Sequence, residues 1–279
     1  MIHQINLNGQ LVSTDQAVFK HTNRSFRYGD GLFESIRMFE GRIPFLEFHL
    51  RRLHSGMAYL KMQIPETYNA DFFLQEIKKV TGDVQNSRIR LTVFREDGGL
   101  FLPPNNSPNF MVEAAKLKGK SFKLDDQGLI VGVADDYFTP SSFANLKTNN
   151  ALPYILGKIE AEKKGLDELI LFNQNGCIVE GTANNIFVVL KNVILTPALS
   201  EGCLDGVMRH FILKNKQTLG LSIREAIIPV KTILTAKEIW LTNAIQGLNW
   251  IQQIDGTTYS NTLAKSAVGK INHLIKGSS

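Results

Sequence analysis

The chain has 279 residues, of which 43% are hydrophobic and 20% are charged, so it can bury one large core or two modest ones. This composition excludes a disordered chain, and the sequence contains neither a low-complexity tract nor a fixed-period repeat. The formal net charge of +5 comes from dispersed Lys and Arg residues, which disfavours nucleic-acid binding and suits a small anionic ligand.

Metal chemistry and membrane insertion are also disfavoured. Cys177 and Cys203 are the only cysteines, and neither they nor the dispersed histidines have the spacing of metal ligands. The first residues alternate polar and apolar side chains without an apolar run as long as a signal peptide or a membrane span. We therefore expect a cytoplasmic protein without a bound metal.

The first half of the chain predicts a small α/β domain over residues 1–115. Asn8-Gly9 lies between two short alternating runs, which indicates a tight hairpin over residues 2–12. Apolar residues recur at three- and four-residue steps over residues 45–60, and this spacing predicts an amphipathic helix. A second helix is expected at 71–80, and strands are expected at 32–39, 88–95 and 110–114.

The polar stretch 116–128 is predicted to be an interdomain loop, and residues 129–279 are predicted to form a larger domain that carries Lys147. Strands are expected at 129–134, 168–172, 177–180, 186–190, 193–195, 222–228 and 238–242. Helices are expected at 152–164, from Gly206 to Leu219, and at 260–275. Strands cluster with helices outside them and without regular βαβ alternation, so the predicted class is α+β, a mixed α/β fold.

Two residues of the second half could carry chemistry. Lys147 lies in a polar, turn-rich segment directly ahead of a predicted helix, from which its amine could form an imine with a carbonyl compound. Glu180 ends a strand before a glycine-led turn, where a carboxylate could hold a pyridine nitrogen in its protonated form. A solvated surface lysine and an ordinary hairpin corner are the alternative interpretations.

A third feature is the predicted helix start at Asp205 or Gly206. Unpaired backbone amides and the positive end of the helix dipole make such a start suitable for a phosphate group, although most helix starts bind nothing. Arg51 and Arg52 on the earlier helix could add a charge-assisted contact, although solvated arginines are the alternative. No single feature would suffice to identify a site.

Taken together and in order, several motifs resemble those of the class IV aminotransferases, the fold-type IV enzymes that use pyridoxal 5′-phosphate (PLP). The motifs are Arg27–Glu34 (RYGDGLFE), His49–Leu53 (HLRRL), Phe143–Asn150 around Lys147, Glu180–Phe187 (EGTANNIF), Leu195–Pro197 and Gly206–Arg209 (GVMR). The resemblance covers nearly the whole chain. It implies a small α/β domain, a larger domain with a pseudo-barrel, and a homodimer in which the loop at Leu102–Asn106 reaches the neighbour's active site.

The resemblance also implies roles for individual residues. Lys147 would form the imine with PLP and shuttle a proton, and Glu180 would pair with the pyridinium. Arg52 would meet the phosphate, which a helix start and a second loop would hold. The backbone would have to supply the contact at position 244, because many relatives have a hydroxyl residue there. The cofactor-binding residues implied are Lys147, Glu180, Arg52, Gly206, Val207, Met208, Asn243 and Ala244.

Within this family the sequence favours 4-amino-4-deoxychorismate lyase, which releases pyruvate and 4-aminobenzoate, a folate precursor. The motifs at 206–209 and 242–245 resemble those of the lyase. Ser35 stands where the lyase has a working threonine, so a catalytic role in moving a proton is implied for its hydroxyl. Branched-chain aminotransferases have a tyrosine where this chain has Leu152, which counts against them.

Other features keep the alternatives open. Phe33-Glu34 resembles transaminases, and Arg90 aligns with an arginine of branched-chain enzymes. Arg95 matches a carboxylate-binding arginine of D-amino acid aminotransferases, but their partner histidine is replaced by Asp97. The alternatives are an L-amino acid transaminase, a D-amino acid transaminase and an inert ligand-binding relative. For a small anionic amino substrate, the binding candidates are Tyr28, Arg90 and Arg95.

Overall fold

The structure, a computed structural model, describes residues 3–16 and 18–277. It divides the chain into two compact units. The first unit consists of Met1–Lys120 with Leu146–Asn150, and the second consists of Ser121–Asn145 with Ala151–Ser279. None of the helices within the described ranges has both the length and the apolar run that crossing a bilayer requires.

In the part of the chain that is described, the first unit contains one five-stranded antiparallel sheet in the order β2-β1-β5-β4-β3. Its strands are β1 (Gln4–Leu7), β2 (Gln10–Ser13), β3 (Gly31–Met38), β4 (Ser87–Arg95) and β5 (Pro108–Lys116). Its helices are α1 (Arg24–Tyr28), α2 (Leu46–Tyr59) and α3 (Ala70–Thr81). The strands and the two longer helices confirm the predictions, whereas the short helix α1 was not predicted.

The predicted hairpin is confirmed and joins β1 to β2. Asn8 and Gly9 have φ angles of 50° and 91°, the left-handed values that a tight two-residue hairpin turn requires. Glycine adopts such angles without steric cost, and asparagine tolerates them better than most residues. Ile2, which the prediction included, lies outside the described residues.

The core of the first unit lies on one face of the sheet. Side chains alternate between the two faces of a strand, so Leu32 and Ile36 of β3 point the same way as Leu91 of β4. This face packs against the apolar sides of α2 and α3, including Leu53 and Phe73, which are fully buried. Truncating such a residue to alanine typically costs about 2–5 kcal/mol of stability.

The segment around Lys147 belongs to this first unit, although the sequence assigned it to the second domain. It runs along the free edge of β3, where Phe33 N donates to Lys147 O at 2.9 Å and Asn149 N donates to Gly31 O at 3.0 Å. An antiparallel bridge pairs Leu32 with Thr148. These hydrogen bonds to the edge of β3 place the segment in the first unit, although its neighbours along the chain belong to the second.

The second unit is built on a curved sheet. Its strand order is β11-β10-β9-β12-β13-β6-β7-β8, and β14 pairs with β13. Ile178 N donates to Ile228 O at 2.7 Å, which joins the β8 end of this order to the chain that leaves β11. Apolar side chains such as Ile186, Val188 and Leu241 form its core.

The strands of the second unit are β6 (Leu129–Val133), β7 (Glu168–Phe172), β8 (Ile178–Gly181), β9 (Asn185–Val189), β10 (Ile194–Pro197), β11 (Ile223–Ala226), β12 (Glu238–Asn243), β13 (Gly247–Ile254) and β14 (Thr257–Thr258). Its helices are α4 (Leu152–Lys163), α5 (Val207–Lys214) and α6 (Thr262–Gly277), with short 3₁₀ turns at Leu199–Glu201 and Val230–Thr235. The predicted mixed α/β class is confirmed, but β13 and β14 were not predicted. Helix α5 ends at Lys214 rather than Leu219, because the side chain of Asn215 bonds back to Phe211 O.

Candidate active site

The amine of Lys147 lies over the aromatic ring of Phe33. Its Nζ is 4.4 Å from the centre of the ring, and the guanidinium carbon of Arg90 is 3.8 Å from the same centre. Both distances are within the range of cation–π attraction. The two side chains are therefore gathered around one ring, and Arg90 Nε also lies 3.9 Å from Glu113 Oε2.

Ser35 and Arg90 lie on the same face of the sheet as Phe33. Ser35 is directly opposite Arg90 in the register of β3 and β4, and side chains on one strand alternate between faces. This is the face opposite the apolar core. Burial lowers the pKa of Arg90 and Glu113 opposes that effect, but a guanidinium keeps its charge in proteins.

Arg95 lies on the other face of β4, which is the core side. Its Nε donates to Asp30 at 2.9 Å, its Nη1 to Asn106 Oδ1 at 2.6 Å, and its Nη2 to Leu60 O at 2.7 Å. These bonds connect β4 to the end of α2 and to the loop before β5. The structure thus gives Arg95 a structural role and does not bring it together with Arg90.

Tyr28, the last residue of α1, contacts other residues than those around Lys147. Its ring centre is 5.1 Å from the guanidinium carbon of Arg24 and 5.7 Å from the ring centre of Phe101. Arg24 in turn donates to Asp30 at 2.8 Å. A substrate-binding role for Tyr28 stays a prediction.

Arg52 forms a buried ion pair that the sequence did not predict. Its Nε donates to Glu34 Oε1 at 2.8 Å and its Nη2 to Glu34 Oε2 at 2.5 Å, while His49 Nδ1 is 2.6 Å from Oε2. Burial raises the pKa of Glu34, but Arg52 and His49 outweigh it and hold that pKa at about 2. Burial lowers the pKa of His49, although Glu34 opposes the effect.

This arrangement makes Glu34 a charged carboxylate on the core side of β3. His49 donates its Nδ1–H to this carboxylate, because a carboxylate can only accept. The only signal in the sequence was the alternation of β3, which puts Glu34 on the side of α2. A contact of Arg52 with a phosphate stays a prediction.

In the second unit, Glu180 accepts hydrogen bonds from Tyr154, Asn185 and Leu204. Its Oε1 accepts from the Tyr154 hydroxyl at 2.8 Å, and its Oε2 accepts from Asn185 Nδ2 at 3.2 Å and Leu204 N at 3.1 Å. The carboxylate is almost completely buried. Burial and the charge of Glu180 both raise the pKa of Tyr154, so the phenol keeps its proton and donates. Tyr154 was not predicted from the sequence.

Only glycine fits at position 206, directly before α5. A Cβ on Gly206 would overlap Asn185 Oδ1, so any side chain there would displace the residue that binds Glu180. The first intrahelical bond of α5 runs from His210 N to Gly206 O at 2.8 Å. The amides of Val207 and Met208 precede it and belong to the first turn, whose N–H groups have no acceptor within the helix.

The turn after β12 lies near the start of α5, because the end of β12 pairs with the beginning of β9. Thr242 is paired with Asn185, which itself contacts Gly206. Within the described residues the buried hydroxyl of Thr242 has no hydrogen-bond partner. Asn243 follows it, and its Oδ1 accepts from the amides of Ile245 and Gln246, so Ala244 sits inside a closed turn.

Asn145 is a further residue that the sequence did not identify. Its Nδ2 donates to Leu199 O at 2.9 Å and to Cys203 O at 2.6 Å, and its own O accepts from Asp205 N at 3.1 Å. These bonds hold the chain that leads into α5.

Comparison with known proteins gives consistent relationships. The family model described as Amino-transferase class IV matches residues 31–254. The chain is 28% identical to the aminodeoxychorismate lyase of Bacillus subtilis over 263 residues, which are 92% of this chain and 88% of that protein. It is 29% identical to a putative branched-chain-amino-acid aminotransferase of Methanocaldococcus jannaschii over 280 residues, 98% of this chain and 94% of that one.

A solved structure shows the same fold. The branched-chain aminotransferase of the thermophilic archaeon Thermoproteus uzoniensis, determined with norvaline, superimposes with a TM-score of 0.88 at 23% identity. The match covers 99% of this chain and 95% of that one. The fold expected from the sequence, with its small α/β part and its larger part, is therefore confirmed.

Proposed function

The chain belongs to the class IV aminotransferases, which are PLP-dependent enzymes, and we propose that it acts as a 4-amino-4-deoxychorismate lyase. In the proposed reaction, the substrate splits into pyruvate and 4-aminobenzoate. Bound PLP supplies an electron sink for the carbanion that proton removal creates. No second substrate is required, because the two products together contain all the atoms of the first.

The residues present fit PLP. Lys147 would bind the aldehyde carbon, and Glu180 would hold the pyridine nitrogen in its protonated form. A phosphate suits the start of α5, where Gly206 leaves no space for a side chain and the first amides lack helical acceptors. The buried hydroxyl of Thr242, which has no partner within the described residues, is a donor that such an anion would satisfy.

The observation that carries the proposal is the shared face of Ser35, Arg90 and Lys147. Arg90 would bind a carboxylate of the substrate through charge-assisted hydrogen bonds. The Lys147 amine would remove the proton from the carbon that bears the amino group. The Ser35 hydroxyl would help to deliver a proton to the enolpyruvyl oxygen as its bond to the ring breaks.

The position of Glu34 in the structure does not support a transaminase. In the sequence, Phe33-Glu34 resembles transaminases, yet the carboxylate of Glu34 lies on the core side of β3 and is bound to Arg52 and His49. A residue on that side is not placed to select between reprotonation and elimination. The relationship to the Bacillus subtilis lyase, over 92% of this chain, adds support to the lyase.

Branched-chain amino acid transamination is the second candidate. The Methanocaldococcus jannaschii relative has nearly the same identity to this chain as the lyase. Arg90 would serve equally well for the carboxylate of an amino acid or of 2-oxoglutarate. Both reactions need Lys147 and Glu180, and they differ in what happens after the proton is removed.

The deciding experiment supplies purified, PLP-loaded protein with 4-amino-4-deoxychorismate and no keto acid. We expect catalytic release of pyruvate and 4-aminobenzoate in equal amounts. Absence of both products, in protein that still shows the absorption band of bound PLP, would contradict the lyase. Turnover of leucine, glutamate or D-alanine with 2-oxoglutarate in the same preparation would establish transamination instead.

We also propose that the enzyme is a homodimer. Leu152 and Leu156 of α4 are 70% and 64% exposed, and Ile155 and Ile159 continue the same apolar stripe. In the first unit, the loop residue Leu102 is 84% exposed. Light scattering after size-exclusion chromatography should give twice the chain mass. Replacing Leu152 and Leu156 by Glu should give monomers, and a monomeric wild type would contradict the proposal.

A further inference from the structure

A chain of hydrogen-bonded side chains leads away from the buried carboxylate of Glu168, the first residue of β7. Its Oε1 accepts from Thr182 N at 3.0 Å and from the Thr182 hydroxyl. Its Oε2 accepts from Asn184 Nδ2 at 2.8 Å. Asn184 Oδ1 accepts in turn from Asn243 Nδ2 at 2.6 Å, so the carboxylate is connected to the end of β12 through one amide side chain.

The same connection continues into the turn after β12. Asn243 Oδ1 accepts from Ile245 N at 2.9 Å and from Gln246 N at 2.8 Å. These two bonds close the turn around Ala244, directly after the buried Thr242 hydroxyl. The shape of the turn therefore depends on which end of the Asn243 amide faces the backbone.

Glu168 determines that orientation. A carboxylate can only accept hydrogen bonds, whereas the amide of asparagine has one accepting end and one donating end. Asn184 must therefore turn its NH₂ group towards Glu168 and its oxygen towards Asn243. Asn243 must then donate to Asn184 and keep its own oxygen for the backbone. One buried charge thus orients two amide side chains in series.

We propose that Glu168 is a positioning residue for phosphate binding, which acts through Asn184 and Asn243 on the turn at 243–246. The inference rests on the proposed function, because this turn serves a phosphate only if the chain binds PLP. Glu168 is linked to the turn only indirectly among the described residues, through Asn184. Its replacement by Gln would offer Asn184 a donor as well as an acceptor, and the orientation of both amides would no longer be fixed.

The test compares the dissociation constants of PLP and of pyridoxal, which lacks the phosphate, for the apo protein. Glu168→Gln and Asn184→Ala should each weaken PLP binding by about 10-fold, a typical effect of removing an outer-shell partner. Pyridoxal binding should change by less than about 2-fold, because it makes no use of the turn. A general loss of structure would weaken both ligands alike.

Lys158→Met is the matched control. Its Nζ lies 3.2 Å from the same Oε2 of Glu168, but the lysine side chain is 46% exposed and is not part of the connection to Asn243. Because the lysine ammonium is half exposed to water and the bonds of Glu168 to Thr182 and Asn184 remain, PLP binding by this variant should stay within about 2-fold of the wild type. If Glu168→Gln does not fold, Asn184→Ala decides.

The outcomes separate the inference from the function on which it rests. Equal weakening of PLP and pyridoxal, or unchanged PLP binding, in the folded variants would overturn the role of Glu168 while leaving PLP as the cofactor. A wild-type protein that binds PLP no more tightly than pyridoxal would contradict the phosphate site itself, and the role of Glu168 would fall with it.

Discussion

The two faces of the β3–β4 pair differ in how their charged side chains are used. On the core side, Glu34 is bound to Arg52 and His49, and Arg95 makes bonds to three partners. On the opposite side, Arg90 and the amine of Lys147 lie over one phenylalanine ring. The charges of the core side are held in largely buried internal pairs, whereas Arg90 on the opposite side is partly exposed and pairs with Glu113 at 3.9 Å.

A motif match does not decide a residue's role until the face of the sheet on which its side chain lies is known. Arg90 and Arg95 were both predicted from the resemblance to bind the substrate, and they lie on the same strand. An odd number of positions separates them, so their side chains point in opposite directions. We therefore propose Arg90, and not Arg95, as the arginine that binds the substrate.

The largest expected effect comes from the amine of Lys147. Lys147→Ala should lower the rate of product formation by more than about 1000-fold, since no other residue supplies this nucleophile and base. The absorption band of PLP bound to the lysine should disappear as well. Lys164→Ala, at the end of α4, is the control and should keep full activity. If Lys147→Ala kept its turnover, Lys147 would not be the catalytic amine, and the face of β3 and β4 on which it lies would lose its proposed role.

On the core side, Glu34→Gln should lower the free energy of unfolding at pH 7 by about 4 kcal/mol, because it leaves the buried Arg52 without its charged partner. The difference depends on pH. The pKa of Glu34 is about 2 in the folded protein and near 4.5 when unperturbed. Its stabilisation is therefore present above pH 4.5 and is lost as the pH falls towards 2.

Urea unfolding at several pH values measures this effect. The stability of the wild type and of Glu34→Gln should converge between pH 4.5 and pH 2, because protonation removes in the wild type what the substitution removes in the variant. A constant difference across that window would show that Glu34 does not carry its charge in the folded protein.

Arg95→Gln should lower the free energy of unfolding by about 3 kcal/mol, because Asp30 and the backbone at Leu60 lose a buried charged partner. The KM of the folded variant should stay near the wild-type value. Denaturation curves and initial rates measure the two quantities separately. A raised KM with unchanged stability would place Arg95 at the substrate and would contradict its structural role on the core side.

Arg90→Gln should show the opposite pattern, with the smallest free-energy change of the series. We expect kcat/KM to fall by about 30-fold, or about 2 kcal/mol, through loss of a charge-assisted bond to the substrate. Stability should change by less than about 0.5 kcal/mol, because the side chain is partly exposed. A large loss of stability with an unchanged KM would contradict the assignment.

Most elements of the fold were predictable because their signals are local. The Asn8-Gly9 turn and the apolar spacing of α2 each identify an element from a few neighbouring residues. Helix α1 has five residues and depends on Asn23, whose side chain accepts from Phe26 N. Strand β13 contains several polar amides and is defined by its pairing with β12 and β6, which no local pattern reveals.

The residues of the candidate site also divide into those with a local sequence signal and those without one. Lys147 and Glu180 stand in motifs that the sequence alone displays. The partners of those motifs come from distant parts of the chain, as in the bond between Asn184 and Asn243. Placement of the Lys147 segment beside β3 is also a long-range pairing, which explains why the sequence put it in the wrong unit.

The most direct test of the account is to identify the lysine that binds PLP. The loaded protein is treated with borohydride, which fixes the cofactor to the lysine, and is then digested and analysed by mass spectrometry. We expect the phosphopyridoxyl group on Lys147 alone, within the peptide from the edge of β3. Attachment of the group to another lysine, or no attachment in protein that shows the absorption band, would contradict the assignment of Lys147 as the lysine that binds PLP.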